Sequence, residues 1–155
     1  MNTLVVPALG SEVEPAPQAG TITYRGLVYP WHCDHMGHMN VMWYTSKFDE
    51  ASWSFLSQLG ITSGYLRQND RRMAAVELNF TYRQELFAGD LVTVVSSMVG
   101  VGDRSLRFSH TMYKEGSSEP VAICTGVGVH LDGRTRTACA LPHDIAQRAH
   151  RLIRA

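Results

Sequence analysis

Hydrophobic and polar positions change their period along this chain, and each change marks a new predicted element. Between residues 41 and 59, apolar side chains recur at steps of three and four, which is the spacing of one helix face. Residues 61–72 form a polar, glycine-containing linker, and residues 76–83 then alternate between apolar and polar. Because alternation at every second position is typical of a half-buried strand, the pattern predicts a helix, a linker and a strand.

Three more strands are predicted further along the chain, at residues 91–99, 106–112 and 121–131. Their connections are short, and short connections favour antiparallel pairing. An extended segment at residues 21–29 precedes the helix, and residues 142–154 are predicted to form a short final helix. The predicted fold class is therefore α+β, with one long helix against an antiparallel sheet of about five strands.

One face of the last predicted strand carries only small side chains. These are Ala122, Cys124, Gly126 and Gly128. A face of small residues allows another element to approach the strand closely, and a helix is the natural candidate.

The length of 155 residues favours one domain with a substantial core. Residues 1–20 contain Gly, Ser, Pro and Glu and show no sustained period, which is typical of a flexible N-terminal arm. We therefore expect residues 21–155 to form a single domain.

Charge and hydropathy argue against several classes of partner. Lys and Arg number 14, as do Asp and Glu, and this balance disfavours a nucleic-acid surface. No apolar run approaches the ~20 residues of a membrane span, and the N-terminus lacks the pattern of a secretory signal. The three cysteines form neither an even disulfide set nor a metal-ligand spacing. We expect a cytoplasmic protein without nucleic-acid or membrane partners.

Candidate chemistry is concentrated just before the long helix. Asp34 precedes a turn that contains Gly37, and Asn40 is a good N-cap for the helix that begins at Val41. The first turn of a helix has N–H groups without internal partners, so it can polarise a carbonyl and stabilise an oxyanion. An ionised aspartate beside it can attack that carbonyl or activate water. The alternative is that Asp34 only stabilises the turn.

His32, His35 and His38 crowd around the same aspartate, with Cys33 among them. These residue types bind transition metals, but ligands spread over a strand end and a turn need not converge. We therefore predict hydrogen-bonded or surface histidines and no metal site. Cys33 is a weaker candidate nucleophile, since consecutive residues of a strand face opposite sides.

Several segments together resemble a known family. The turn reads Asp34-His35-Met36-Gly37-His38-Met39-Asn40, and the supporting segments lie at residues 48–53, 80–83, 88–90 and 141–142. In order and spacing, over roughly residues 22–142, they resemble the hot-dog-fold acyl-CoA thioesterases of the 4-hydroxybenzoyl-CoA thioesterase type. The resemblance implies a hot-dog fold, in which the sheet wraps around the central helix.

The resemblance also implies roles for individual residues. Asp34 is expected to be the nucleophile or general base, and the helix start near Val41 and Met42 is expected to hold the thioester carbonyl. From the residue pattern itself, Asn40 is expected to support that start, and His38 or His35 can assist the reaction. Some members of the family carry a histidine where this chain has Val41, so that histidine's role does not transfer. Another branch places a catalytic glutamate further along the helix, where Glu50 is the nearest acid.

Binding partners follow from the same resemblance. The substrate is expected to be a small acyl-CoA or aroyl-CoA, with coenzyme A as part of the substrate and no separate cofactor. Arg104 and Arg107 are candidates for contact with coenzyme A phosphates, as are Arg134 and Arg136, although each is also explained as an ordinary solvated arginine. The tryptophans Trp31, Trp43 and Trp53 line either an acyl pocket or the plain core. A homodimer or homotetramer is expected.

Two other functions remain open on the sequence. A hot-dog hydratase or dehydratase uses an acid and a base at the carbons beyond the thioester carbonyl, and Asp34 with a histidine can supply both. A non-catalytic acyl-CoA-binding protein keeps the pocket without the reaction. Only a hydrolase releases the free thiol.

Overall fold

The computed structural model describes residues 20–153, so the flexible arm expected over residues 1–20 lies almost wholly outside the described residues. The elements in chain order are β1 (Thr21–Leu27), a 3₁₀ turn (Pro30–His32), α1 (Val41–Gln58), α2 (Ser63–Gln68), β2 (Arg71–Tyr82), β3 (Leu91–Val101), β4 (Ser105–Lys114), β5 (Pro120–Asp132) and α3 (His143–Ile153). Among the described residues, none of the helices is both long and apolar enough to cross a bilayer.

The five strands form one antiparallel sheet in the order β1-β3-β4-β5-β2. Helix α1 packs over β1, β3 and β4, and its buried side chains include Tyr44, Phe48, Ala51 and Phe55. The prediction of one long helix on a five-stranded antiparallel sheet is therefore confirmed.

Both ends of α1 have identifiable causes. At the start, the Asn40 side chain accepts a hydrogen bond from Met42 N at 3.0 Å, so the predicted N-cap is confirmed. At the end, Gly60 has a φ of 96°, a conformation that suits glycine and terminates the helix. Arg148 of α3 donates to the free Leu59 carbonyl at 2.6 Å, which ties the two helices together.

The linker predicted over residues 61–72 is more structured than its polarity indicates. It contains α2, which the Thr62 side chain caps by accepting from Tyr65 N at 3.1 Å. Strand β2 already begins at Arg71, five residues before the predicted strand. Residues 71–75, which the prediction left out of the strand, pair with the end of β5, as in Arg71 with Asp132. Because their partners lie far away in the chain, the local sequence shows no alternation that would predict this part of the strand.

The small face of β5 is explained differently from the prediction. A Cβ at Gly126 would meet the Phe108 ring and Leu78, which belong to β4 and β2 and not to a helix. Cys124 and Gly128 instead form part of the lining of a cavity between α1 and the β2 side of the sheet. Small residues on β5 therefore provide space for that cavity, while α1 lies over the other strands.

Candidate active site

Asp34 opens a tight turn whose two ends are joined by backbone hydrogen bonds. Its N–H donates to His38 O at 3.1 Å, and its own carbonyl accepts from Gly37 N at 3.0 Å. Gly37 has a φ of 85°, which favours a residue without Cβ. Cys33 and Met39 form a bridge just outside the turn, so the loop is a small, fixed hairpin that leads into α1.

Both carboxylate oxygens of Asp34 accept hydrogen bonds. Oδ1 accepts from Met36 N at 2.9 Å, and Oδ2 accepts from the Asn40 amide Nδ2 at 2.8 Å. The bond from Asn40 is the main cause that lowers the pKa of Asp34, and the Met36 N–H adds to it. Asp34 is therefore an anion at neutral pH.

Asn40 connects this carboxylate to the helix. Its Oδ1 caps Met42 N while its Nδ2 donates to Asp34, and these two partners fix which end of the amide is which. The same side chain therefore sets the start of α1 and the position of the carboxylate.

The N-terminal end of α1 offers a narrower donor set than the sequence predicts. The Met42 N–H is occupied by the Asn40 cap, and Trp43 N donates to the Asn40 carbonyl at 3.0 Å. Within residues 20–153, the Val41 N–H has no protein acceptor, and the Val41 side chain is exposed. Val41 N–H is therefore the donor available to an incoming carbonyl oxygen.

His38 lies between two acids. Its Nδ1 is 2.9 Å from Glu85 Oε1, and its Nε2 is 4.0 Å from Asp34 Oδ1. Glu85, which comes just after β2, therefore orients the ring so that its other nitrogen faces the Asp34 side. The sequence prediction missed Glu85, because it is 47 residues away from His38 in the chain.

The other two histidines do not join this group. His32 is buried, accepts at Nδ1 from Tyr29 N at 3.0 Å and packs on Trp43, with ring centroids 4.3 Å apart. Burial lowers the pKa of His32, and the Lys47 ammonium adds to the effect. His35 is exposed. In the described part of the chain, no group of three or more His, Cys, Asp or Glu side chains is placed to hold a metal ion.

The remaining candidates are spread over the molecule. Arg104 and Arg107 are exposed near the start of β4. The Asp34 turn lies at the opposite end of the sheet, where Met39 N bonds to Leu86 O in the segment that follows β2. The structure therefore does not bring these arginines to Asp34 within one chain, and their contact with coenzyme A stays a prediction. Glu50 lies on another face of α1, in a groove with Lys47.

A mostly apolar cavity of about 340 Å³ lies between α1 and the β2 side of the sheet. Residues of α1, β2, β4 and β5 form its walls, among them Phe48, Leu56, Leu78, Phe80 and Phe108. On α1 it begins at Thr45, one helical turn after Val41. Trp53 lines this cavity, whereas Trp31 and Trp43 lie in a separate aromatic groove with His32. The cavity therefore runs along α1 from a point close to the free N–H.

The long helix α1 on a five-stranded antiparallel sheet, with the Asp34 turn at the start of that helix, defines the class of protein as one with a hot-dog fold. The family described as "Thioesterase-like superfamily" matches residues 28–149, which is more than half of the chain. The chain therefore belongs to this superfamily.

Relatives and solved structures agree with this membership. Over 109 residues the chain is 25% identical to a chloroplastic acyl-acyl carrier protein thioesterase of Arabidopsis thaliana, covering 70% of this chain and 57% of that relative. It is 23% identical to the long-chain acyl-CoA thioesterase FadM of Escherichia coli, covering 80% of this chain and 93% of the relative. A Staphylococcus aureus protein solved in complex with CoA has a TM-score of 0.82 at 19% identity, covering 87% and 85% of the two chains.

Proposed function

We propose that this protein is an acyl-CoA thioesterase in which Asp34 carries out the hydrolysis. The observation that carries the proposal is the link through Asn40, whose side chain donates to the ionised Asp34 carboxylate and caps α1 one residue before the free Val41 N–H. A negatively charged oxygen that can attack or activate water, and an unpartnered backbone donor that can stabilise an oxyanion, are two groups that acyl transfer uses.

Two routes use the same groups. In the first, an Asp34 oxygen attacks the thioester carbon, the C–S bond breaks, and water then hydrolyses the resulting mixed anhydride. In the second, Asp34 removes a proton from the water molecule that attacks the carbon. In both routes the oxyanion accepts from Val41 N–H. Coenzyme A leaves as a thiolate, and since a thiol has a reference pKa of ~8.5 it needs little help from an acid.

His38 has a supporting role in this proposal. Glu85 fixes one ring nitrogen, and the other lies 4.0 Å from Asp34, too far for a hydrogen bond in the free protein. A water molecule taken up between them can lose its proton to Asp34 while His38 orients it.

The resemblance suggests a small acyl or aroyl group of the 4-hydroxybenzoyl type. The cavity extends along α1 as far as Leu56, which leaves room for a longer acyl chain as well. FadM, a relative named for long-chain acyl-CoA, supports the longer range. A cytoplasmic location, and the absence of a nucleic-acid partner, a metal and a separate cofactor, remain part of the proposal.

A substrate panel tests the proposed activity. Benzoyl-, butyryl- and dodecanoyl-CoA are incubated with the protein, and free thiol is measured with a chromogenic disulfide. Thiol release above the uncatalysed rate is expected for at least one of them. Binding without thiol release would indicate an acyl-CoA-binding protein, and conversion of an enoyl-CoA without thiol release would indicate a hydratase.

Asn40→Ala is expected to reduce activity more than stability. Loss of the N-cap should lower the free energy of unfolding by ~1 kcal/mol. Loss of the bond to Asp34 should also let the carboxylate move away from Val41 N–H, so we expect at least a ~10-fold fall in kcat. Thr62→Ala, which removes the cap of α2, is the matched control. Full turnover with only a lower melting point would make Asn40 a structural residue alone.

We also propose a homodimer, with further pairing into a tetramer left open. Strand β2 is an edge strand whose outer side pairs with no other strand in residues 20–153. It exposes Val76 and Leu78, at 62% and 43% of their surface. An unpaired edge with exposed apolar side chains favours pairing with a second copy.

Light scattering tests the dimer. A mass of two or four chains is expected at micromolar concentration. Val76→Lys should shift the mass toward one chain, whereas Val99→Lys, at an exposed valine on the interior strand β3, should leave it unchanged. A native protein with the mass of one chain would refute the dimer.

A further inference from the structure

A chain of buried polar side chains crosses the core and ends at the acyl cavity. Thr23 Oγ1 is 2.6 Å from Ser96 Oγ, and Ser96 Oγ is 2.5 Å from His110 Nδ1. On its other side, His110 Nε2 is 2.9 Å from Ser52 Oγ. Ser52 belongs to α1 and lines the cavity. The chain therefore joins β1, β3 and β4 to one polar atom on an otherwise mostly apolar wall.

The carbonyl of Phe48 fixes the direction of these hydrogen bonds. It can only accept, and it lies 2.9 Å from Ser52 Oγ, so Ser52 donates its hydrogen to it. His110 Nε2–H then donates to Ser52, and Ser96 donates to His110 Nδ1. A second carbonyl, Val94 O, lies at the other end of the chain, and a strong hydrogen bond to it from Thr23 would favour the opposite donor direction. Its distance of 3.4 Å from Thr23 Oγ1 makes that bond weaker than the one to Phe48 O.

This direction leaves Ser52 with one free acceptor position. A hydroxyl has one hydrogen and two lone pairs. The hydrogen of Ser52 is committed to Phe48 O, and one lone pair is committed to His110. Because the half-buried Ser52 side chain lines the cavity, the second lone pair is available to a group inside it. That group has to be a hydrogen-bond donor.

The position of Ser52 defines how far this donor lies from the thioester. Ser52 follows Val41 by eleven residues, which is three helical turns, so both lie on one side of α1 about 16 Å apart. An extended chain covers that distance in roughly a dozen bonds.

We propose that Ser52, held by His110, is a subsite for a hydroxyl group about a dozen bonds along the acyl chain, so that the protein prefers long-chain hydroxyacyl-CoA. This inference rests on the proposed function, because it takes the thioester carbonyl to lie at Val41. The hydroxyl donates to the free Ser52 lone pair. An acyl chain without a donor leaves that lone pair unpaired inside the cavity, which costs binding.

The other polar groups of the cavity do not offer the same site. Thr45 is exposed to water, and its hydroxyl is 3.4 Å from the Val41 carbonyl. Asp49 lies on an exposed position of α1 and keeps its contact with water. Ser46 also lines the cavity, but no residue in the described part of the chain makes a hydrogen bond to its hydroxyl. Ser46 is therefore a matched control, since it is a serine on the same helix and in the same cavity whose hydroxyl is not held in one hydrogen-bond orientation.

The test compares two substrates of equal length. 12-Hydroxydodecanoyl-CoA and tridecanoyl-CoA differ by a hydroxyl in place of a methyl group. We expect kcat/KM to be about 10-fold higher for the hydroxylated substrate, whereas a purely apolar cavity prefers the methyl group. The corresponding CoA thioethers, which cannot be hydrolysed, are compared by titration calorimetry.

Two variants with side chains of the same shape test whether the hydroxyl of residue 52 causes the preference. Ser52→Thr keeps it and Ser52→Val replaces it by a methyl group, and circular dichroism verifies that both fold. The 10-fold preference should persist in Ser52→Thr and in the control Ser46→Val, and should fall to one or below in Ser52→Val. Should Ser52→Val fail to fold, the preference of the native protein and of Ser52→Thr still decides.

The outcomes separate the subsite from the activity. Equal kcat/KM for both substrates in the native protein, or a preference that Ser52→Val retains, would overturn the subsite while leaving the thioesterase intact. A thioether preference that Ser52→Val abolishes, in a protein that releases thiol from neither of these thioesters nor from any CoA ester of the panel, would support the subsite and refute the proposed activity.

Discussion

Asp34→Asn should turn over its best acyl-CoA at least ~100-fold more slowly than the native protein, the low end of what a catalytic acid or base contributes. The change keeps the size of the side chain and removes its charge. The native carboxylate is ionised, because Asn40 and the Met36 N–H both lower its pKa. A neutral amide at this position neither attacks the thioester carbon nor takes a proton from water, so the loss should appear in kcat.

Two comparisons make the result specific. Asp49→Asn removes an exposed carboxylate from the rim of the cavity and should keep at least half of the native kcat. Binding of a CoA thioether should be little changed in Asp34→Asn, since the cavity does not contain Asp34. If Asp34→Asn hydrolyses its substrate at near the native rate, Asp34 is not the catalytic group, and Glu50 and His38 are the next residues to substitute.

The parts of the fold that follow a local period were predictable from sequence. The face of α1 repeats within one helix, and the strands β3, β4 and β5 alternate over their own lengths. Helix α2 has six residues and no buried side chain, so it carries no amphipathic pattern to read. Whether α1 or a cavity covers the small face of β5 depends on side chains of β2 and β4, which the sequence of β5 does not contain.

The candidate site follows the same division. Asp34, Gly37 and Asn40 lie within seven residues, so their joint role was visible in the motif. Glu85 reaches His38 only because Met39 N donates to the Leu86 carbonyl at 2.7 Å and brings the two segments together. The sequence also did not predict that the Asn40 cap occupies the Met42 N–H. A capping side chain and a substrate carbonyl compete for the same first-turn donors, and the sequence does not tell which donor the cap takes.

Acidification from pH 7 to pH 5 should lower the free energy of unfolding by about 2 kcal/mol through His110 alone. Burial lowers the pKa of His110 to about 4, whereas an unfolded histidine titrates near 6.5. Between these values the unfolded chain binds a proton that the folded protein does not accept, so stability is complete above pH 6.5 and is lost as the pH falls toward 4. The ring lies among Phe48, Phe55 and Phe108. Its two nitrogens are bonded to the neutral hydroxyls of Ser96 and Ser52, so burial away from water is the cause of the lowered pKa.

Urea unfolding at both pH values measures this loss, at one protein concentration because association also affects stability. His110→Gln removes the titrating ring, so its difference between pH 7 and pH 5 should shrink by about 2 kcal/mol whatever its stability at pH 7. His32, whose pKa burial also lowers, should contribute to the difference that remains. His35→Gln, at an exposed position, should keep the native difference. An unchanged difference in His110→Gln would mean that the folded core accommodates a charged His110, because a proton then binds the folded and unfolded chains equally well.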